Sequence, residues 1–212
     1  MDVEKRNMIA TQTPELAHRI GHMRAWLREE TQGHVLSLIG LPNRPEILYR
    51  LSAVLYAHDW YIHAASIRTG SELEIEDRFQ VSPIDIDRFP DPERFSRMIE
   101  DYSELLNSPS SVHDYLIDNG KQLHHAQTGK GEITFARDPI RIRLRVSAPD
   151  RPGLLLSILH LFAMMHIDVL TAEIETDADG MARNIFLVNP GDERFERKPF
   201  RTLLADALKV LL

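Results

Sequence analysis

An internal repeat at a constant offset constrains the fold of this chain more than any other feature of its sequence. Placing Pro45 on Pro152 sets the offset at 107 residues, since 152 − 45 = 107. The same offset, without a gap, superposes identical residues along both copies: Pro42 and Pro149, Arg44 and Arg151, Leu48 and Leu155, Ala65 and Ala172, Ile67 and Ile174, Thr69 and Thr176, Phe79 and Phe186, Val81 and Val188, Pro83 and Pro190. Chance explains so long a register poorly, so we expect two copies of one supersecondary unit.

Each copy begins with the pattern of a strand followed by a helix. Val35–Ile39 and Ile142–Val146 are the candidate strands, and the second alternates apolar residues with arginines, as a strand with one buried face does. A turn follows, and Asn43 or Asp150 stands near the N-cap of a helix with proline in its first turn. Apolar residues at helical spacing then require a sheet to pack against. They are Ile47, Leu48, Leu51, Val54 and Leu55 in the first copy and Leu154, Leu155, Ile158, Leu161, Phe162 and Met165 in the second.

Two further strands and a second amphipathic helix follow in each copy. The predicted strands are Trp60–Thr69 and Leu73–Val81, then Ile167–Thr176 and Arg183–Val188. The second helices present Phe95, Met98, Ile99, Tyr102 and Leu106 in the first copy and, from about Lys198, Phe200, Leu203, Leu204, Leu208 and Leu211 in the second. One more strand, Glu132–Ala136, either completes the first copy or lies beside the first strand of the second, and the sequence leaves both open. The second copy is expected to lack its closing strand, which would leave an exposed edge.

Three motifs of the second copy resemble the ACT domain. They are the turn Asp150-Arg151-Pro152-Gly153 followed by leucines, the strand Ala172-Glu173-Ile174-Glu175-Thr176, and the strand Phe186-Leu187-Val188. As a tandem pair, residues 34–212 are similar to the C-terminal regulatory region of bacterial PII uridylyltransferases and to double ACT proteins of the glycine-cleavage-repressor type. This resemblance implies a regulatory module that binds a small ligand.

The expected fold class is α+β, with two ferredoxin-like βαββαβ modules whose antiparallel sheets carry the helices on one face. We expect an N-terminal helix and arm over residues 1–33, a first module with its linker over residues 34–138, and a second module over residues 139–212. Within the first segment, Thr13 to Glu30 reads as a helix, because Leu16, Ile20, Met23 and Leu27 share one helical face. The two modules are expected to pack side by side in one extended sheet.

Composition excludes several classes of protein. A formal charge of −7 disfavours binding to nucleic acid, which depends on clustered lysine and arginine. No apolar run is long enough to cross a membrane, and the N-terminal residues are too polar for the core of a signal peptide. The chain has no cysteine, so disulfides and thiolate metal sites are absent. These features predict a cytoplasmic protein that uses neither nucleic acid nor a membrane as a partner.

The turn of the second copy is the candidate ligand-binding site, from Asp150 through Arg151, Pro152 and Gly153 to Leu154. Glycine lets a ligand approach the backbone, and the free N–H groups at a helix start favour a carboxylate. Asp150 is available for an ammonium group, so the turn suits the two charges of an amino acid. The alternative is that Asp150 only caps the helix and that the side chain of Arg151 is solvated.

The matching turn of the first copy departs from this pattern. Asn43 replaces the acid, Arg44 is retained, and Glu46 replaces the glycine. A glutamate there adds bulk and negative charge where a carboxylate should bind. Asn43 and Arg44 are therefore the weaker candidate site, and we expect an amino-acid ligand at the second copy.

Residue patterns typical of enzymes are absent from the sequence. His58-Asp59 and His113-Asp114 are isolated dipeptides, and the pair His124-His125 has no carboxylate or cysteine companion at metal-ligand spacing. No serine stands in a nucleophile elbow, and no glycine-rich phosphate loop follows a strand. We therefore predict no catalytic residue, no cofactor and no metal site.

Two functions remain consistent with the sequence. The first is a non-catalytic regulator that senses a small metabolite, an amino acid by expectation, forms a homodimer and acts on a protein target. The second is a regulatory portion related to PII uridylyltransferase and nitrogen metabolism, whose nucleotidyltransferase part lies outside this chain. A reading frame that continues upstream of Met1 would favour the second function.

Overall fold

The computed structural model describes residues 15–30, 33–41, 46–68, 76–84, 90–123, 131–138 and 141–212. These residues form an α+β fold in which nine antiparallel strands make one sheet. The first copy and the segment before it contain the strands β1 (Glu15–Ile20), β2 (Met23–Glu30), β3 (Gly33–Ile39), β4 (Trp60–Arg68) and β5 (Glu76–Pro83). Their helices are α1 (Ile47–Ala57), α2 (Pro92–Asn107) and α3 (Val112–Asp118).

The second copy repeats this order of elements. Its strands are β6 (Glu132–Asp138), β7 (Arg141–Pro149), β8 (Val169–Thr176) and β9 (Met181–Val188). Its helices are α4 (Leu154–Met164) and α5 (Lys198–Leu211), with a short 3-10 turn at Glu193–Glu196 between β9 and α5. The predicted sequence of strand, helix, strand, strand and helix is therefore confirmed in both copies.

The order of the strands shows how the copies meet. From one edge to the other the sheet runs β1-β2-β3-β5-β4-β8-β9-β7-β6. Strands β4 and β8 pair at the centre, where Ser66 lies opposite Glu173. These two residues are 107 positions apart and so occupy the same place in the repeat. An approximate twofold axis therefore passes between them, and the predicted side-by-side packing in one sheet is confirmed.

The fourth strand of each module precedes the module in the chain. Strand β2 pairs with β3, and β6 pairs with β7 through the register of Ile133 with Val146. The strand near Ile133 therefore lies beside the first strand of the second copy, which settles the alternative that the sequence leaves open. No strand follows α5 among the described residues, as expected, but β6 fills the place that a closing strand would take.

The predicted helix between Thr13 and Glu30 is wrong, because this segment forms the hairpin β1–β2. Gly21 and His22 form a two-residue turn, with Gly21 in the left-handed region at φ +57°. Met23, Ala25 and Leu27 alternate as buried residues along β2. The four apolar residues that suggested a helix also fit two strands, because Leu16 and Ile20 share one face of β1, and Met23 and Leu27 share one face of β2. Packing of the hairpin against α2 favours the strands.

The core lies between the sheet and a single layer of helices. Along β7, alternate residues are buried, and they face this layer. Helix α1 contacts both α2 and α4, so the helices of the two copies meet above the paired strands β4 and β8. Tyr49 of α1 and His160 of α4 join the two copies, with 2.6 Å between the tyrosine Oη and the histidine Nδ1. Burial and the charge of Glu46 raise the pKa of Tyr49 to about 12, so its hydroxyl stays protonated and can donate this bond.

Candidate functional site

A cleft lies where the predicted turn of the second copy meets α1 and β4 of the first. It encloses about 430 Å³ of empty space, including its open mouth, whereas the room inside for water-sized atoms is about 30 Å³. That room suits a water molecule and is too small for an amino acid. Its walls come from both copies: Ser52, Tyr56, Trp60, Tyr61 and Ile62 from the first, and Asp150, Arg151, Gly153, Leu154, Leu155, Leu156, Ile174, Thr176, Ala182 and Asn184 from the second.

The carboxylate of Asp150 is the charged centre of this cleft. One oxygen accepts the backbone N–H of Arg151 at 2.9 Å, and the other accepts the hydroxyl of Thr176. The side chain of Tyr61, from the first copy, lies close enough to this carboxylate for Asp150 to help raise the pKa of the tyrosine. A carboxylate has about four acceptor positions, so at least one remains for a ligand. Asp150 thus fixes the turn and lies where the two copies meet.

The two aromatic side chains of β4 next to Asp150 stay uncharged near neutral pH. Burial and then the hydrogen bond and charge of Asp150 raise the pKa of Tyr61, so its hydroxyl remains a donor. Burial lowers the pKa of His63, although the charge of Asp150 acts in the opposite direction. The His63 Nε2 lies 2.7 Å from Ser82 Oγ, and its ring stands edge-on to that of Tyr61 at 4.6 Å between centroids.

Gly153 is the residue of the turn that glycine alone fits well. Its φ is +80°, a left-handed conformation that β-carbons disfavour. A Cβ at this position would lie 3.1 Å from the ring of Tyr56, which packs over the turn from α1. Tyr56 is held there by donating its hydroxyl to the carbonyl of Gln122 at 3.1 Å. Because the interior has room only for a water molecule, an amino acid that binds at this turn has to displace neighbouring side chains, and the Tyr56 ring is the side chain closest to Gly153.

The other predicted residues of the turn have different environments. Arg151 lines the cleft, but its guanidinium donates to the carbonyl of Leu211 at 3.0 Å, so it is not merely solvated. Pro152 is exposed and does not line the cleft. Leu154 is buried, and its backbone N–H donates to the carbonyl of Arg151. The next two N–H groups of α4 belong to residues that line the cleft and are the donors available to an anion.

The predicted counterpart in the first copy is described only in part. Asn43 and Arg44 lie outside the described residues. Glu46 stands at the start of α1 with φ +70°, so it shares the left-handed conformation of Gly153. Its carboxylate lies 3.5 Å from the guanidinium of Arg50.

The histidine–aspartate pairs noted in the sequence do not form one site. His58 Nε2 lies 2.7 Å from Asp101 of α2, whereas Asp59 pairs with Lys121. Residues 124 and 125 lie outside the described residues. In the part of the chain that the structure describes, no three histidine, aspartate or glutamate side chains converge at metal-binding distance. None of the described helices combines the length and apolar character needed to span a bilayer.

Sequence reasoning identified one wall of the cleft and missed the other. Ser52, Tyr56 and Tyr61 enter the site only because the two copies pack together. The residues 107 positions later are Leu159, Ala163 and Asp168, so each of these three positions differs between the copies. That difference alone does not mark the cleft, because the lining residues Leu155, Ile174 and Thr176 are identical to their counterparts Leu48, Ile67 and Thr69.

Comparison with known proteins agrees with this architecture. Residues 142–194 match the family model described as the ACT domain. A bifunctional uridylyltransferase/uridylyl-removing enzyme of Xanthomonas oryzae pv. oryzae (strain MAFF 311018) is 27% identical over 172 residues, which cover 79% of this chain and 19% of that protein. The enzyme of the same description from Xanthomonas campestris pv. campestris (strain B100) is 28% identical over 170 residues, with the same coverage.

The chain thus spans about a fifth of the length of these curated relatives. Among solved structures, aspartate kinase from Synechocystis superposes with a TM-score of 0.45 and 18% identity, covering 82% of this chain and 27% of that one. The fold assignment rests on the sheet and helices of this chain and on the family match. The predicted resemblance to ACT domains and to uridylyltransferases is confirmed by that match and by the Xanthomonas relatives.

Proposed function

We propose that this chain is a non-catalytic regulatory protein that senses a small metabolite, an amino acid, in the cleft between its two copies. ACT domains are regulatory, ligand-sensing modules, and the second copy matches one. The observation that carries the proposal is the cleft itself, in which the start of α4 lies next to the carboxylate of Asp150. The proposed binding residues are Asp150, Arg151, Gly153 and Leu154, which line the cleft, with Asn43 and Arg44 as a weaker second site; Pro152 belongs to the turn but does not line the cleft.

The chemistry of the cleft complements a free amino acid. Its carboxylate would accept hydrogen bonds from N–H groups at the start of α4, where the helix dipole is positive. Its ammonium would donate to the remaining acceptor position of Asp150. The apolar walls formed by Trp60, Leu155 and Ile174 would take the ligand's side chain.

The position of Tyr56 offers a way to signal that the cleft is occupied. The Tyr56 ring covers Gly153 and the Tyr56 hydroxyl bonds the Gln122 carbonyl, so a ligand that displaces the ring also breaks that bond. Lys121, beside Gln122, has its ammonium 6.0 Å from the centre of the Tyr56 ring and pairs with Asp59. Ligand binding would therefore change the contacts of the segment after α3. Coupling energies of about 1–3 kcal/mol are typical of such links.

A thermal-shift screen with each of the twenty amino acids tests the proposal. At ten times its dissociation constant, a ligand that binds only the folded state stabilises it by about 1.4 kcal/mol. For a chain of this size, that stabilisation raises Tm by about 3–6 °C. One amino acid or a few related ones should give such a shift. If none of the twenty raises Tm at about 10 mM, the proposal is wrong.

A second candidate function has specific support from the Xanthomonas relatives. Identity of 27% over 79% of this chain favours a regulatory portion related to uridylyltransferases, with a role in nitrogen metabolism. Nucleotidyl transfer would then depend on residues outside the matched region. Sequencing the DNA upstream of the Met1 codon distinguishes the two candidates, because only the second requires a continuous reading frame that encodes a nucleotidyltransferase.

We further propose that the protein acts in the cytoplasm as a homodimer and changes the state of a protein target. Pull-down from the source cell's cytosolic fraction, with and without the amino acid found in the screen, tests the target. Retention of one protein should depend on that amino acid. Equal retention under both conditions would contradict ligand-dependent regulation.

A further inference from the structure

Ser52 lines the cleft, and its buried hydroxyl has no hydrogen-bond partner among the described residues. Ser52 stands in the middle of α1 and is 3% exposed, so bulk water does not reach it. A buried hydroxyl without a partner destabilises a fold, and each such group in a native protein calls for an explanation. Among the described residues that line the cleft, Ser52 is the one with a buried side-chain oxygen that makes no hydrogen bond.

The repeat shows that the fold itself does not need a hydroxyl at this position. The matching residue of α4 is Leu159, which is also 3% exposed. Both helices pack in the same layer, so an apolar residue at position 52 would satisfy the packing. Ser52 is therefore a polar residue at an apolar position of the repeat, and it borders the space in which we propose that the ligand binds.

We propose that the Ser52 hydroxyl recognises the side chain of the bound amino acid, and that this side chain is uncharged and able to hydrogen-bond, either a hydroxyl or an amide. The inference rests on the proposed function, since it concerns the same cleft. A hydroxyl both donates and accepts, and so it fits either group. Trp60, Ile62 and Leu155 also line the cleft, and apolar side chains of this kind disfavour an unpaired charge beside them.

Titration calorimetry with amino-acid pairs of similar shape tests this assignment on the full chain. The pairs are threonine with valine, asparagine with leucine, and glutamine with methionine. In at least one pair, the parent protein should bind the polar member about three- to tenfold more tightly than the apolar one. Ser52→Ala should remove that preference by weakening the polar member alone. Ser37→Ala provides a matched control, since Ser37 is a buried serine of β3 that does not line the cleft.

Several outcomes would overturn the assignment. If Ser52→Ala lowers Tm but keeps the preference, the hydroxyl serves only a bound water. If the parent binds only aliphatic or charged amino acids, the ligand class is wrong while the proposed sensing function stands. If none of the twenty amino acids binds the parent protein, the sensing function fails and this inference fails with it.

Discussion

Gly153 and Glu46 occupy matched positions of the two copies and share a left-handed backbone, with φ of +80° and +70°. The helices α1 and α4 of the two copies differ at the position of Tyr56. Tyr56 of α1 packs on Gly153, whereas the residue at the same position of α4 is Ala163. A Cβ at Gly153 would meet the ring of Tyr56, a side chain and not backbone, so a larger residue there requires a shift of that ring. The preference for glycine at this position therefore comes in part from the contact between copies.

Replacing Asp150 by asparagine should destabilise the protein by about 2 kcal/mol, because hydrogen bonds to a charged acceptor are the stronger ones. The variant keeps the size of the side chain but weakens the bonds from the backbone N–H of Arg151 and the hydroxyl of Thr176. Urea denaturation measures the change in the free energy of unfolding. Asp206→Asn, at an exposed position of α5, should change it by less than about 0.5 kcal/mol. Equal effects of the two variants would show that the hydrogen bonds of Asp150 do not stabilise the turn.

Stability should fall as the pH drops below about 6.5, and His63 should contribute to the fall. Its folded pKa lies below the ordinary value of 6.5, so the unfolded chain binds more protons in this range and stability increases with pH. The contribution is complete above pH 6.5 and is lost as the pH falls through the folded pKa. Denaturation at about pH 7.5 and pH 5.5 should show a smaller difference for His63→Gln than for the parent. His113→Gln, at an exposed position, should keep the parent's difference, and a reduced one there would contradict the assignment.

Residue types and spacing predicted part of the site and could not predict the rest. Asp150 and Gly153 were identified because they follow a strand and open a helix, a local pattern. Tyr61 and Ser52 belong to the other copy, more than 85 positions earlier in the chain (150 − 61 = 89 and 150 − 52 = 98). Their proximity to the turn depends on the pairing of β4 with β8, which a single sequence does not specify.

The hairpin β1–β2 shows why one element was predicted with the wrong period. Apolar residues four apart occur on a helix face and also in a strand, where every second residue shares a face. In this segment, Leu16, Ile20, Met23 and Leu27 satisfy both patterns. The deciding signal is Gly21 between two alternating runs, which suits a two-residue turn. Glycine in the middle of a helix would also have been unfavourable.

Two glycines near the hairpin β1–β2 allow the cost of a left-handed backbone to be compared with the cost of close packing. Gly21 and Gly40 both have positive φ, but a Cβ at Gly21 would meet nothing within 4 Å, whereas one at Gly40 would overlap the carbonyl oxygen of His22. Gly21→Ala should therefore cost about 1 kcal/mol, the left-handed penalty alone. Gly40→Ala should cost at least about 2 kcal/mol more, since backbone must shift. Chemical denaturation compares the two, and similar losses would show that the hairpin does not dock on β3 as described.

The position of β6 was open in the sequence because its pattern fits either neighbour. Ile133 and Phe135 are partly buried and alternate with exposed residues, a pattern that shows only that one face of the strand is covered. It does not say which strand is the neighbour. The choice follows from the chain itself, because β6 and β7 are separated by two residues and form an antiparallel pair. Strand β2 precedes β3 in the same way, so the repeat extends to its fourth strand.

The dimer predicted from the sequence is still expected, but for a different structural reason. The second copy is closed by β6, and the segment expected to provide a spare helix is a hairpin. The described sheet still ends in two edge strands, β1 and β6, and edges tend to be covered or paired. We therefore still expect a dimer, with a sedimentation mass near twice 24.4 kDa at tens of micromolar. A mass near 24.4 kDa under those conditions would contradict it.

We expect an amino acid to bind at the turn of the second copy and not at the turn of the first. Titration calorimetry with the amino acid that gives the largest thermal shift tests it most directly. A ligand of about ten heavy atoms should bind the parent at about −4 to −6 kcal/mol, in the millimolar to tens-of-micromolar range. Gly153→Glu should abolish binding while circular dichroism shows that the protein stays folded, and Glu46→Gly should leave the affinity unchanged. If Gly153→Glu binds like the parent while Glu46→Gly changes the affinity, the ligand binds at the first copy instead.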